Sequence, residues 1–120
     1  MSRFDLNRVY IPTSDGNPFL MKIEEDQPEV QIVFRSEGKA RTFLSHRLVR
    51  PILRRLGGTI AVTSQDRACD FVSCYLDRGI RIVVDPFIVH EHETQYHEVV
   101  EVRGRLQYKD ASNERVESNT

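Results

Sequence analysis

The chain has no tryptophan and two cysteines in 120 residues. Cys69 and Cys74 lie five apart in a segment that reads as one helix, which sets them about 140° apart around its axis. They cannot bridge each other there. A disulfide-stapled scaffold is thereby excluded, and free thiols point to a reducing compartment. No run approaches the roughly 20 apolar residues of a membrane span. The opening Met1-Ser2-Arg3-Phe4-Asp5 has no apolar core of a signal peptide, so the expected location is the cytoplasm, away from membranes. Catalytic signatures are missing too. There is no Gly-x-Gly-x-x-Gly, no P-loop and no nucleophile elbow. Ser45 and His46 are neighbours, and adjacent residues on a helix do not face each other. Asp85 with Glu101 and Arg103 resembles the Asp…Glu-x-Lys nuclease pattern, but arginine does not give up its proton as lysine can.

What is present fits one soluble domain. A chain of this length buries about two-thirds of its unfolded surface. Residues 1–109 are expected to form a single globular domain. Residues 110–120, polar with one valine, are expected to be a disordered tail. Val9-Tyr10-Ile11 and Phe19–Ile23 flank a turn-rich stretch and read as a hairpin with a long loop. Val30–Phe34 and Ala40–Leu44 flank Ser36-Glu37-Gly38-Lys39 and read as a second, tighter hairpin, with Gly38 at positive φ. Ser45 reads as an N-cap for Leu48, Val49, Ile52, Leu53 and Leu56 at helical spacing. Pro51 either kinks that helix or starts a shorter one over 51–56.

Thr59–Val62 reads as a short strand and Thr63-Ser64-Gln65-Asp66 as a capping box. The helix after it carries Ala68, Phe71, Val72, Tyr75 and Leu76 on one stripe. Ile80–Val84 is a strand interrupted at Asp85-Pro86 and resumed at Phe87–Val89. Val100, Val102, Leu106 and Tyr108 alternate with polar residues as one long strand, Gly104 marking a bulge. The predicted class is α+β: a mixed, mostly antiparallel sheet in the order β-β-β-β-α-β-α-β-β, with two helices on one face.

Charge is unevenly placed. The net charge is −1, yet Arg35 through Val62 holds seven basic residues against the single acid Glu37. Positive charge gathered in one stretch presents a local field. Arg41, Arg47, Arg50, Arg54 and Arg55, with Arg103 and Arg105 on the last strand, are the candidate partner-binding residues. Two kinds of partner fit them. Arginine is favoured in protein interfaces, where it pairs bidentately with carboxylates. The acidic stretch Glu24-Glu25-Asp26 through Glu29 makes a second copy, and hence a homodimer, one such partner. Arginine also grips phosphate. Against nucleic acid stand a sequence pI of about 6.4 and the want of aromatics interleaved with the basic residues.

The other concentration is His90-Glu91-His92-Glu93-Thr94-Gln95-Tyr96-His97, which holds three of the four histidines. If strands on either side pair, His90 and His97 face each other across the loop base. His90, His92 and His97 could then converge on a divalent metal such as zinc, with an open position for hydrolysis. The same residues also suit a solvated hairpin tip.

The expectation is a small non-enzymatic accessory protein of adaptor or inhibitor type, acting through a protein interface centred on the Arg-rich helix. Nucleic-acid binding by the same arginines is the alternative. Metal binding at the histidines comes third, and no catalytic residue is assigned.

Overall fold

The computed structural model describes residues 2–90 and 93–110. Its elements run β1 (Arg8–Ser14), β2 (Asn17–Pro18), β3 (Gln31–Val33), α1 (Glu37–Leu44), α2 (Arg50–Leu56), β4 (Ile60–Asp66), α3 (Ala68–Asp77), β5 (Ile82–His90), β6 (Glu93–Val102) and β7 (Arg105–Asp110). They form two sheets. One is antiparallel, in the order β2-β1-β4; the other is mixed, in the order β3-β5-β6-β7, with β3 and β5 parallel. The class is α+β, as expected. The order differs, and three helices replace two.

Two hydrogen bonds join the sheets. Tyr10 N–H donates to Phe34 C=O at 2.8 Å, and Phe34 N–H donates to Tyr10 C=O at 2.8 Å. Both residues anchor cores. Phe34 is fully buried, and burying a phenylalanine stabilises by about 1.5–3 kcal/mol.

Strand periodicity then divides the interior. Ile32, Phe34 and Val83 face one cluster, which also holds Ala40, Phe43, Leu44, Val49, Leu53 and Tyr96. Val33, Ile82 and Val84 face the other, with Phe4, Val9, Ile11, Ala68, Val72 and Val99. Thus α1 and α2 cover one side of the mixed sheet and α3 covers the opposite side. The two helices expected on one face, near 48–56 and 68–77, lie on opposite faces.

Local chemistry explains the other departures. Ser36 caps α1, its side chain accepting from Lys39 N–H at 3.2 Å, and Glu37 sits in the first turn. Ala40, Phe43 and Leu44 are then buried at helical spacing. The first arm of the expected second hairpin contains β3, but the second, Ala40–Leu44, is helix, with Gly38 inside α1 and not at positive φ. Ser45 closes α1 instead of opening the next helix: its N–H and hydroxyl both donate to Arg41 C=O. Pro51 lies in the first turn of α2, so the shorter 51–56 alternative describes this helix. Thr63–Asp66 belong to β4; α3 starts from Arg67 at φ +56° with no side-chain cap.

The first hairpin turns on two residues, Asp15-Gly16, rather than a long loop. The last long strand is also a hairpin. Arg103 (φ +54°) and Gly104 (φ +77°) form a two-residue turn, and Val102 pairs with Arg105. Val99 faces the α3 core, so Val100 and Val102 point the other way, whereas Leu106 and Tyr108 beyond the turn pack on the α3 side. The sequence alternation ran unbroken across that turn and concealed it. Asp110 ends β7; the remaining tail, 111–120, lies outside the described residues.

The break at Asp85-Pro86 is a bulge in β5, with a register shift between Val84 and Phe87. Asp85 takes φ +52° there. Its carboxylate accepts from Arg35 N–H at 2.9 Å and Arg35 Nε at 2.6 Å, with Lys39 Nζ at 3.7 Å.

Two glycines give opposite predictions. A Cβ on Gly38 meets nothing within 4 Å, so Gly38→Ala raises helix propensity and is expected to stabilise by about 0.5–1 kcal/mol. Gly58 has φ +75°, and a Cβ there meets Ser14 Oγ and Asp15 Oδ2, the latter at 2.8 Å. Gly58→Ala is expected to destabilise by about 1–3 kcal/mol. Urea denaturation followed by circular dichroism checks both signs.

Candidate functional site

Helices α1 and α2 are joined by a tight turn over residues 46–49. Val49 N–H and Arg50 N–H both donate to His46 C=O, at 2.9 and 3.0 Å. His46 Nδ1 accepts from Leu48 N–H at 3.1 Å, so this histidine is part of the turn. The turn sets α2 beside α1, and Gly57-Gly58 return the chain to β4. Ser14 Oγ donates to Gly57 C=O at 3.0 Å and Thr59 N–H donates to Asp15 Oδ1 at 2.9 Å, which pins this return to the β1–β2 turn.

Between α1, α2 and the start of β4 lies an open cleft of about 750 Å³. Leu44, Leu53, Ile60 and Val62 supply its apolar surface, and Arg41, Arg50 and Arg54 supply its charge. Its size is that of a ligand-binding cleft. Among the described residues, no aromatic side chain lines it.

The arginines of the protein differ in how their charge is answered. Arg8 pairs with Asp66 at 2.8 Å, Arg35 with Asp85 at 2.6 Å, Arg67 with Asp70 at 2.9 Å and Arg81 with Glu98 at 3.0 Å. Arg41 pairs with Glu37 at 2.6 Å across one helical turn. Arg50 and Arg54, also one turn apart, have no carboxylate partner among the described residues. Two unanswered guanidinium groups therefore face a partly apolar cleft, with a third held beside them on α1.

The other sequence candidates are elsewhere. Arg47 and Arg55 are exposed but do not line the cleft, and Arg55 Nε donates to Pro51 C=O at 3.4 Å. Arg103 and Arg105 belong to the β6–β7 hairpin, at the far edge of the mixed sheet from β3. The basic segment and the last strand thus do not share a cleft. Lys39 lines a second cavity of about 520 Å³ on the other side of α1, with Phe43, His46, Asp85, Pro86 and Phe87.

The histidines are not brought together as the loop reading required. His90 pairs with Glu93, and His97 pairs with Val84 near the opposite end of β5. At about 3.3 Å per residue, most of the strand separates them. His97 instead stands edge-on to Tyr108, ring centres 6.0 Å apart. His92 lies outside the described residues. Among the described residues, no group of three or more His, Cys, Asp or Glu side chains is placed to share an ion.

One polar network was not foreseen. Arg81 donates to both carboxylate oxygens of Glu98, each at 3.0 Å, and to Tyr96 Oη at 3.3 Å; Tyr96 Oη in turn donates to Glu24 at 3.1 Å. The Glu98 bonds hold the Arg81 guanidinium well above its ordinary pKa, and burial pushes the Tyr96 phenol up. Glu24 is thereby engaged within its own chain. The only sequence signal was the alternation of Tyr96 and Glu98 on one strand face.

These two sets of arginines respond oppositely to truncation. Arg50→Ala with Arg54→Ala is expected to leave stability within about 0.5 kcal/mol, because neither residue has a carboxylate partner among the described residues. Arg81→Ala leaves the largely buried Glu98 carboxylate unmatched and is expected to cost about 2 kcal/mol or more. Equilibrium unfolding of the two variants beside the parent protein decides the point.

No known protein family, curated protein or solved structure matches the chain.

Proposed function

We propose that this protein is a binding protein that takes an acidic, partly aliphatic segment of a protein partner into the cleft between α1, α2 and β4. The observation that carries this reading is the pair Arg50 and Arg54. Both line the cleft, and among the described residues both lack the carboxylate partner that five other arginines have.

An unpaired guanidinium beside apolar surface is a strong site for a carboxylate, since its fork geometry allows two parallel hydrogen bonds. Leu44, Leu53, Ile60 and Val62 reward an aliphatic side chain placed between such carboxylates. Buried aliphatic contact flanked by arginine is the composition of protein interfaces. Nucleic acid fits this site less well, because single-strand binders stack bases on aromatic side chains and none lines the cleft. Arg103 and Arg105 are not needed for this reading.

The test uses a fluorescein-labelled heptapeptide, Thr-Glu-Thr-Leu-Thr-Glu-Thr, and a labelled oligothymidine. Fluorescence anisotropy is expected to show the peptide binding the parent protein. Arg50→Glu with Arg54→Glu is expected to weaken it by about 30-fold or more, since each lost charged contact is worth about 1.5–3 kcal/mol. Circular dichroism of that variant is expected to be unchanged. Tighter binding of oligothymidine, falling steeply with salt, would put nucleic acid first.

A further inference from the structure

Resting on the reading that the cleft takes an acidic protein segment, we propose how the segment is held: as an added strand, hydrogen-bonded to the free edge of β4.

Among the described residues, strand β4 ends its sheet and pairs only with β1. The seam between the sheets fixes which of its backbone groups are free. Tyr10 uses both its N–H and its C=O on Phe34, so it bonds nothing in β4. Its opposite number there is Ser64. In an antiparallel ladder, residues of such a pair turn their polar groups away from each other, and the arrangement repeats every second residue. Ser64, Val62 and Ile60 therefore present their N–H and C=O groups outward. Two observations agree. Val62 stands opposite Pro12, which has no N–H to give. Thr59, out of phase by one, has its C=O turned inward and accepts from Asp15 N–H at 2.9 Å.

The other edges are occupied or short. Along β7, Phe4 N–H donates to Leu106 C=O and Tyr108 N–H donates to Ser2 C=O. The outer side of β3 is met by Met21 at Val30 and by Tyr10 at Phe34. Strand β2 is two residues long. Strand β4 has seven residues and contains neither proline nor lysine, the usual guards of an open edge.

Ile60, Ala61 and Val62 line the cleft together with Arg50 and Arg54, so a strand laid on this edge enters it. Every second side chain then faces Leu44, Leu53 and the two guanidinium groups, and the intervening ones face away. The partner segment is accordingly extended, with acidic and aliphatic residues at alternate positions. A second copy of β4 is a poor occupant: its only acid is Asp66, already held by Arg8 at 2.8 Å.

The test compares the heptapeptide with two derivatives, N-methylated either at every threonine or at every glutamate and leucine. An added strand directs one of these sets of N–H groups at β4, so one derivative is expected to bind about tenfold more weakly or worse. Amide hydrogen exchange at Val62 and Ser64 is expected to slow in the complex, while Ala61 and Thr63, already facing β1, stay unchanged. Equal binding of both derivatives and the parent, or no slowing at Val62 and Ser64, overturns strand addition and leaves the cleft reading standing. No binding of the parent peptide overturns both. A dimer by light scattering, with Val62 and Ser64 already protected, gives the edge to a second copy and overturns the proposal.

Discussion

Two backbone hydrogen bonds between Tyr10 and Phe34 organise this protein. They hold β1, at a point that the short β2 does not flank, against the end of β3, so strands of both sheets turn alternate residues toward common cores. Phe34 lies in the cluster beneath α1 and α2, and Val33, one residue earlier, in the cluster beneath α3. The same bonds decide the hydrogen-bonding phase of β1, and β1 decides that of β4. A contact deep inside thus determines which polar groups reach the surface beside the arginine cleft.

The architecture near the cleft also separates charge by purpose. Arginines that hold structure are matched: Arg35 clamps the Asp85 bulge, and Arg81 ties Glu98 and Tyr96 to the Glu24 loop. Arg50 and Arg54 on α2 have no carboxylate partner among the described residues and lie where the chain supplies aliphatic surface. Uneven charge along the sequence therefore has two structural meanings, and burial with a partner distinguishes them.

Much of the fold was legible where one signal dominated. The apolar stripe of α3 and the interruption of β5 at Asp85-Pro86 follow from local residue chemistry, and Pro51 in the first turn of α2 is one of the two placements its chemistry allows. Misreadings arose where two signals competed. Ser36-Glu37-Gly38 carries both turn residues and a helix cap, and only the tertiary position of Ala40, Phe43 and Leu44 decides for the helix. The alternation of apolar and polar residue types runs on across Arg103-Gly104. Yet the turn pairs Val102 with Arg105 and so sends Leu106 and Tyr108 to the face opposite Val100 and Val102, a reversal that residue type alone does not show. Of the candidate arginines, Arg41, Arg50 and Arg54 share a cleft, and sequence could pair the last two by their helical spacing. That Arg103 and Arg105 stand elsewhere depends on strand order, which no local pattern encodes.

Cys69 gives the amino-terminal segment an internal sensor. Its Sγ lies 3.8 Å from Phe4 C=O and 3.7 Å from Leu6 C=O, and burial pushes its thiol pKa up. Cys74, on the same helix, is exposed. The pair therefore serves as a clock with its own reference hand. Cys74 offers an accessible thiol for comparison, while labelling of Cys69 is held back for as long as Phe4 and Leu6 stay docked. Detachment of the amino-terminal segment that bonds to β7 can in this way be timed apart from unfolding of the whole protein.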